Sequence, residues 1–146
     1  VTVGALGRHA DPREAERRAG AVLEEVGLAG KRAQPAGALT LAERKRLELA
    51  RALATEPALL LLDEVMAGLT AAETERIVDL VRAINGRGVA ILLIEHVMRA
   101  VMSLSERIVV INYGERIAEG RPDVVAADPK VIEAYLGDEH AGAAPA

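Results

Sequence analysis

Apolar positions in this chain fall into two rhythms, and the change from one to the other marks its elements. Ala15, Ala19, Val22, Leu23 and Val26 recur every three or four residues, the spacing of one helix face. Asp11-Pro12 opens that helix, with Asp11 as N-cap, Pro12 at the first helical position and Glu14 reaching back as a capping box; Gly27 can stop it. Residues 1–10 read as a short apolar lead-in, and residues 28–39, with Gly30, Pro35 and Gly37, as a loop. Thr40-Leu41-Ala42-Glu43 is another capping box, followed by Leu47, Ala50, Arg51 and Leu53 at helical spacing and a stop before Pro57. Thr70-Ala71-Ala72-Glu73 repeats the signal ahead of Ile77, Leu80, Val81 and Ile84, and Asn85-Gly86 closes that helix.

The second rhythm is continuous. Leu59 to Leu62 are four leucines in a row, which describes a strand buried on both faces, and Asp63-Glu64 follow at once. Val89 to Ile94 is a similar run ending in Glu95-His96. Strand, helix and strand in this order predict a βαβ unit with parallel pairing. Asp63, Glu64 and His96 then share the carboxyl edge of the sheet, where open α/β folds bind ligands. Met98 to Leu104 predicts a short helix, and Arg107 to Asn112 and Glu115 to Ala118 a hairpin about Tyr113-Gly114. Asp128-Pro129 starts a last helix through Val131, Ile132 and Tyr135 that stops near Gly137; residues 138–146 read as a flexible tail. The fold class is α/β, a mainly parallel sheet with flanking helices, then a β-hairpin and a C-terminal helix.

Composition narrows the function classes. With 146 residues and 51% apolar content the chain can bury a core, and the absence of Phe and Trp leaves that core to Leu, Ile, Val and Ala. A net charge of −4 argues against a general nucleic-acid binder. No Cys is present, so disulfides and thiolate metal sites within the chain are excluded. No apolar run approaches the roughly 20 residues that span a bilayer, so a membrane role would go through a partner.

Two features carry candidate chemistry. The Asp63-Glu64 pair suits a hard cation and an activated water, although acids at a strand end are as often simply solvated. The helix behind Thr40 presents unpaired N–H groups and a hydroxyl suited to a phosphate, while its bland reading is a packing helix with Arg44, Lys45 and Arg46 as an exposed basic face. His96 gains interest from the edge it shares with the acids.

In this order the motifs resemble the ATP-binding subunits of ABC transporters. Leu39 to Glu43, running into Arg46-Leu47-Glu48-Leu49-Ala50-Arg51-Ala52-Leu53, resembles the family's signature motif and helix. Leu59 to Asp63 resembles the Walker B strand, Glu64 stands at the catalytic-glutamate position, Ala67-Gly68-Leu69-Thr70 resembles the D-loop and His96 falls at the switch-histidine position. Asn112 to Ile117, with Glu119-Gly120, resembles the C-terminal hairpin, and Pro129 to Gly137 resembles the ending of branched-chain amino acid importer ATPases and their amide or urea relatives.

The resemblance implies a partial P-loop NTPase fold: residues 1–56 as part of the helical signature subdomain, 57–137 as the C-terminal part of the RecA-like core, and 138–146 as the tail. It implies ATP hydrolysis coupled to import, with ATP and Mg²⁺ as cofactors. Asp63 holds Mg²⁺ through water, and Glu64 and His96 are catalytic. Thr40, Leu41, Ala42 and Glu43 contact the ATP of the opposite subunit, and Thr70 belongs to the D-loop. Implied partners are a second ATP-binding subunit, membrane permeases and, indirectly, a solute-binding protein, at the cytoplasmic face of a bacterial inner membrane, with no nucleic acid.

The chain departs from the family in three places. No G-x-x-x-x-G-K-[ST] loop occurs, and that loop's backbone and Lys cradle phosphates. Leu41 and Ala42 stand where the family has two glycines, and Thr70 where it has Asp or Asn. The expectation is that this chain alone binds ATP poorly, hydrolyses none, and exposes apolar surface that favours self-association. The alternative reading is a non-hydrolysing remnant that binds a partner cassette or permease. A soluble ABC-type ATPase of DNA repair or translation is disfavoured by the acidic balance and by the lack of a long coiled-coil insertion before Leu59.

Overall fold

A computed structural model describes residues 1–136, and the chain forms two compact units, Val1–Val97 and a second from Met98 onward. The first unit begins with a helix, α1 (Thr2–Leu6), where the sequence suggested only a lead-in. No side chain caps it, and five residues do not hold a helix in water by themselves. Tertiary contact supplies what local propensity lacks. Ala5 is fully buried in a cluster with Ala15 and Ala54, and a side chain on Gly4 would meet the Arg51 carbonyl at 3.0 Å.

Helix α2 (Pro12–Glu25) starts as predicted at Asp11, whose carboxylate accepts the Arg13 N–H at 3.0 Å. Glu14 does not reach back to complete a box; its carboxylate is taken by Arg17 on the next turn. At the other end Gly27 adopts φ +69°, which costs Gly little. Its N–H donates to Glu24 O at 3.0 Å and the Leu28 N–H to Leu23 O at 2.7 Å, a Schellman end. The loop that follows contains two 3₁₀ turns, Ala29–Lys31 and Ala36–Ala38.

Helix α3 (Leu41–Leu53) carries the full capping box at Thr40. Its buried stripe is Ala42, Leu49, Ala50 and Leu53; Leu47 is only half-buried, so the face is turned slightly from the expected one. Strands β1 (Leu59–Asp63) and β2 (Ala90–Ile94) pair in parallel, Leu59 opposite Ala90 through Asp63 opposite Ile94. Helix α4 (Ala71–Asn85) makes the crossover from its own box at Thr70 and buries Ile77, Val78, Val81 and Ile84, with Leu80 at the margin. It ends at Asn85 with Gly86 as its C-cap, as predicted; Gly86 keeps φ −59°, and the left-handed residue of the turn comes two positions later at Gly88, where φ reaches +91°. The Asn85 side-chain amide donates to Val89 O across that turn at 3.1 Å.

One expectation fails at β1. Leu60 and Leu62 are each 4% exposed, but Leu59 and Leu61 are 52% and 66% exposed, so the strand is covered on one face only. In β2 the same face shows Leu92 and Ile94. A pleated strand sends successive side chains to opposite faces, and the described residues pack against just one of them.

In the second unit, α5 (Met98–Leu104) precedes an antiparallel hairpin of β3 (Ile108–Asn112) and β4 (Glu115–Gly120); β3 starts one residue later than read from sequence and β4 runs two residues further. Tyr113 and Gly114 turn it with φ of 48° and 81°, the left-handed pair of a type I′ turn. Arg107 from across the hairpin and Arg116 from the same strand share the Glu119 carboxylate, and the Arg107 bond is the main cause holding that carboxyl below its usual range. Helix α6 (Pro122–Ala126) was not anticipated; α7 (Pro129–Val131) starts at Asp128 as predicted and widens into a π-turn at Ile132–Leu136. Ile108, Val125 and Val131 form this unit's core, and the Tyr135 hydroxyl donates to Ile111 O at 2.5 Å. The predicted stop at Gly137 and the tail 138–146 lie outside the described residues. Among the described residues no helix is long and apolar enough to cross a membrane.

Candidate nucleotide site at the sheet's carboxyl edge

Every candidate residue lies in the first unit. The β1–β2 pairing places Asp63, Glu64 and His96 at one end of the sheet, because parallel strands finish on the same side. Asp63 is the last residue of β1 and projects from the same face as Leu59 and Leu61. Glu64 leaves the strand through φ 48°, a left-handed conformation that costs a non-glycine residue about 1–2 kcal/mol. Its N–H still donates to Ile94 O at 2.9 Å, so the sheet ladder runs one residue further than the strand. The Glu64 carboxylate lies 3.5 Å from Nδ1 of His96, and both side chains are well exposed at 59% and 61%. An exposed carboxylate beside an imidazole can orient a water and exchange a proton with it.

At the start of α3, the Glu43 N–H donates to the Thr40 hydroxyl at 3.3 Å and the Thr40 N–H to the Glu43 carboxylate at 3.0 Å. Lys31 bonds the same carboxylate; this bond first, and the Thr40 N–H second, hold Glu43 below the usual carboxyl range. The box takes the amides of Thr40 and Glu43, and helix geometry gives those of Leu41 and Ala42 no intrahelical acceptor. The Leu41 side chain leans on the next loop: a Cβ on Gly68, at φ +76°, would meet Leu41 Cδ2 at 3.1 Å. Ala42 is buried. Thr70 is engaged in its own box, donating to the Glu73 carboxylate at 2.8 Å and accepting the Glu73 N–H at 3.3 Å. The Thr70 N–H leads the causes that lower the Glu73 carboxyl.

Thr40 and Thr70 are therefore tied up locally, while Glu64 and His96 meet. Two further residues join these segments. Lys45, expected on an exposed basic face, instead donates to the backbone carbonyl of Glu64 at 3.2 Å, and Arg46 is spent on Val26 O at 3.2 Å; Arg44 is exposed as expected. Glu95 accepts the Met66 N–H at 2.7 Å. A charged residue closing an apolar strand was the available signal for Glu95. Nothing in the local pattern marked Lys45.

A magnesium ion arriving with a nucleotide fits this edge. Among the described residues no group of three or more His, Cys, Asp or Glu side chains could hold a metal. Mg²⁺ keeps most of its waters and takes one or two carboxylates beside substrate phosphates, and the exposed Asp63 and Glu64 offer that number.

Residues 2–67 match the sequence profile of the ABC transporter family, and residues 115–141 that of the branched-chain amino acid ATP-binding cassette transporters. The high-affinity branched-chain amino acid transport ATP-binding protein BraF of Pseudomonas aeruginosa is 44% identical over 127 residues, 86% of this chain and 50% of its own length. LivG of Escherichia coli, described in the same terms, is 42% identical over 126 residues, 86% of this chain and 49% of its own. A solved nucleotide-free ATP-binding cassette from an ABC transporter superposes with TM-score 0.78 at 31% identity, covering 86% of this chain and 51% of that one. A second cassette, in an ADP conformation, gives 0.76 at 33% identity over 83% of this chain and 49% of its own. The chain spans about half the length of the curated relatives it matches. Along a partial P-loop NTPase fold, then, the chain matches the ATP-binding proteins of ABC transporters, with the branched-chain amino acid transport ATP-binding proteins among its relatives.

Proposed function

We propose that this chain supplies the signature and carboxylate half of an ATP-hydrolysing importer subunit for branched-chain amino acids or related small solutes. The observation that carries the reading is the meeting of Glu64 and His96 at 3.5 Å beside Asp63, on the carboxyl edge of a parallel sheet. Residues 1–56 act as part of the helical subdomain, and 57–137 as part of the nucleotide-binding core. Phosphoryl transfer needs positioning and charge neutralisation more than covalent chemistry, and this edge provides groups for both. Asp63 holds Mg²⁺ through water; the ion, when bound, neutralises phosphate charge. Glu64 orients the attacking water and accepts its proton, and His96 steadies that water and the terminal phosphate.

The Leu41 and Ala42 amides, with the Thr40 and Glu43 cap that fixes them, face the nucleotide of a second ATP-binding subunit. The Thr70 box holds the D-loop beside them. The working assembly on this reading includes permease subunits and a solute-binding protein at the cytoplasmic face of a bacterial membrane. Here the phosphate-cradling loop comes from the half of the cassette that this chain's span of its relatives leaves out. The non-hydrolysing alternative draws on Leu41 and Ala42 at the start of α3, where glycines would let the backbone approach a phosphate more closely.

The test is steady-state Mg-ATP turnover of the complete gene product reconstituted with its permeases, with and without external leucine. Leucine-stimulated turnover that collapses in His96→Ala supports the reading. Nucleotide binding without turnover in the native protein would favour the binding-only alternative.

A further inference from the structure

The turn after β1 is held from two sides by groups that neither the sequence motifs nor the proposed chemistry uses. Glu64 sits at φ 48°, a conformation that persists only where its surroundings over-determine it. Its carbonyl accepts Lys45 Nζ from α3 and the Ala67 N–H, each at 3.2 Å. Two residues on, the Met66 N–H is taken by Oε1 of Glu95 at 2.7 Å, the length of a charge-assisted bond. The Met66 side chain is 1% exposed, so this amide lies over the core.

Glu95 itself is an odd resident there. It is half-buried at the end of an apolar strand, and its Oε2 is buried without a hydrogen-bond partner. Leaving a carboxylate oxygen unsatisfied is costly, so general stability does not account for a carboxylate at this place. What the residue does is fix the loop that begins with Glu64 to the strand end that carries His96.

We infer that Glu95 is a positioning residue: by holding the Met66 amide it sets the Glu64 turn, and with it the placement of the Glu64 carboxylate against His96. Lys45 braces the same turn from α3, so a side chain of the helix that begins at Thr40 also holds the backbone of the carboxylate edge. The effect on turnover rests on the hydrolytic reading above; the clamp itself does not. Position, rather than charge at the reacting atoms, is what Glu95 contributes. An amide oxygen at the same place therefore substitutes for it, and a shorter or missing side chain does not.

Two readouts on Glu95→Gln and Glu95→Ala separate these possibilities. Amide hydrogen exchange at Met66, measured on this chain, needs no activity. The inference expects exchange about tenfold or more faster in Glu95→Ala and near-native exchange in Glu95→Gln. Equal protection in the native and Ala chains overturns the clamp. In the complete gene product, Glu95→Ala lowers kcat about tenfold or more with KM for ATP nearly unchanged, and Glu95→Gln recovers most of the rate. Gln as inactive as Ala while Met66 stays protected overturns positioning in favour of a direct role for the charge. If the native gene product turns over no ATP, the hydrolytic reading fails, and Met66 exchange alone decides the clamp.

Discussion

The two faces of the β1–β2 sheet are built from the same residues and live in opposite environments. Leu60 and Leu62 lie on the covered face, while Leu59, Leu61, Leu92 and Ile94 stand on the other, each more than half exposed. Leucine has no preference between the faces, so the sequence prescribes more burial than the described residues deliver. A sheet whose strands are apolar at every position is made to be covered twice. The difference separates what holds this chain together from what the chain offers to a covering layer.

Truncation should divide the faces cleanly. Leu62→Ala is expected to destabilise the chain by about 2–5 kcal/mol, read from chemical denaturation, because it opens a cavity in a packed layer. Leu61→Ala on the open face should shift the same curve by no more than about 0.5 kcal/mol. Equal costs would mean that the open face is covered in solution, by a second copy of the chain. A charge at that position sharpens the point: Leu61→Lys should leave stability alone and reduce concentration-dependent association in sedimentation.

The covered face also explains what could be read in advance. Helix periodicity, capping boxes and the βαβ order are local patterns, and α3, α4, β1 and β2 formed where those patterns placed them. The edge with Asp63, Glu64 and His96 followed from parallel pairing alone. Features set by distant contact stayed hidden: α1 exists because Ala5 packs with Ala15 and Ala54. Glu14 had two partners within reach, the cap amide and Arg17, and composition does not rank them. Lys45 looked solvated because its acceptor, the Glu64 carbonyl, is nineteen residues away and exists only once the turn is folded.

Smaller effects test the frame around the edge. Thr70→Ala removes both hydroxyl bonds of its box and should cost about 1 kcal/mol, seen as a lower melting temperature. Acid should loosen both boxes. Glu43 and Glu73 have folded carboxyl values below the ordinary 4.5, so the unfolded chain binds protons first. Their contribution is complete above that value and is lost as pH falls from 4.5 through the lower folded values. A double Glu43→Gln, Glu73→Gln chain should show a flatter stability profile below pH 4.5 than the native chain.

On the proposed function, the carboxylate meeting His96 activates water for ATP hydrolysis. Glu64→Gln in the complete gene product, followed by single-turnover hydrolysis and nucleotide binding on one preparation, tests it most directly. The account predicts binding as tight as native and a hydrolysis rate lower by about 10²–10⁴-fold. Native turnover in that variant would contradict it and remove Glu64 from the chemistry.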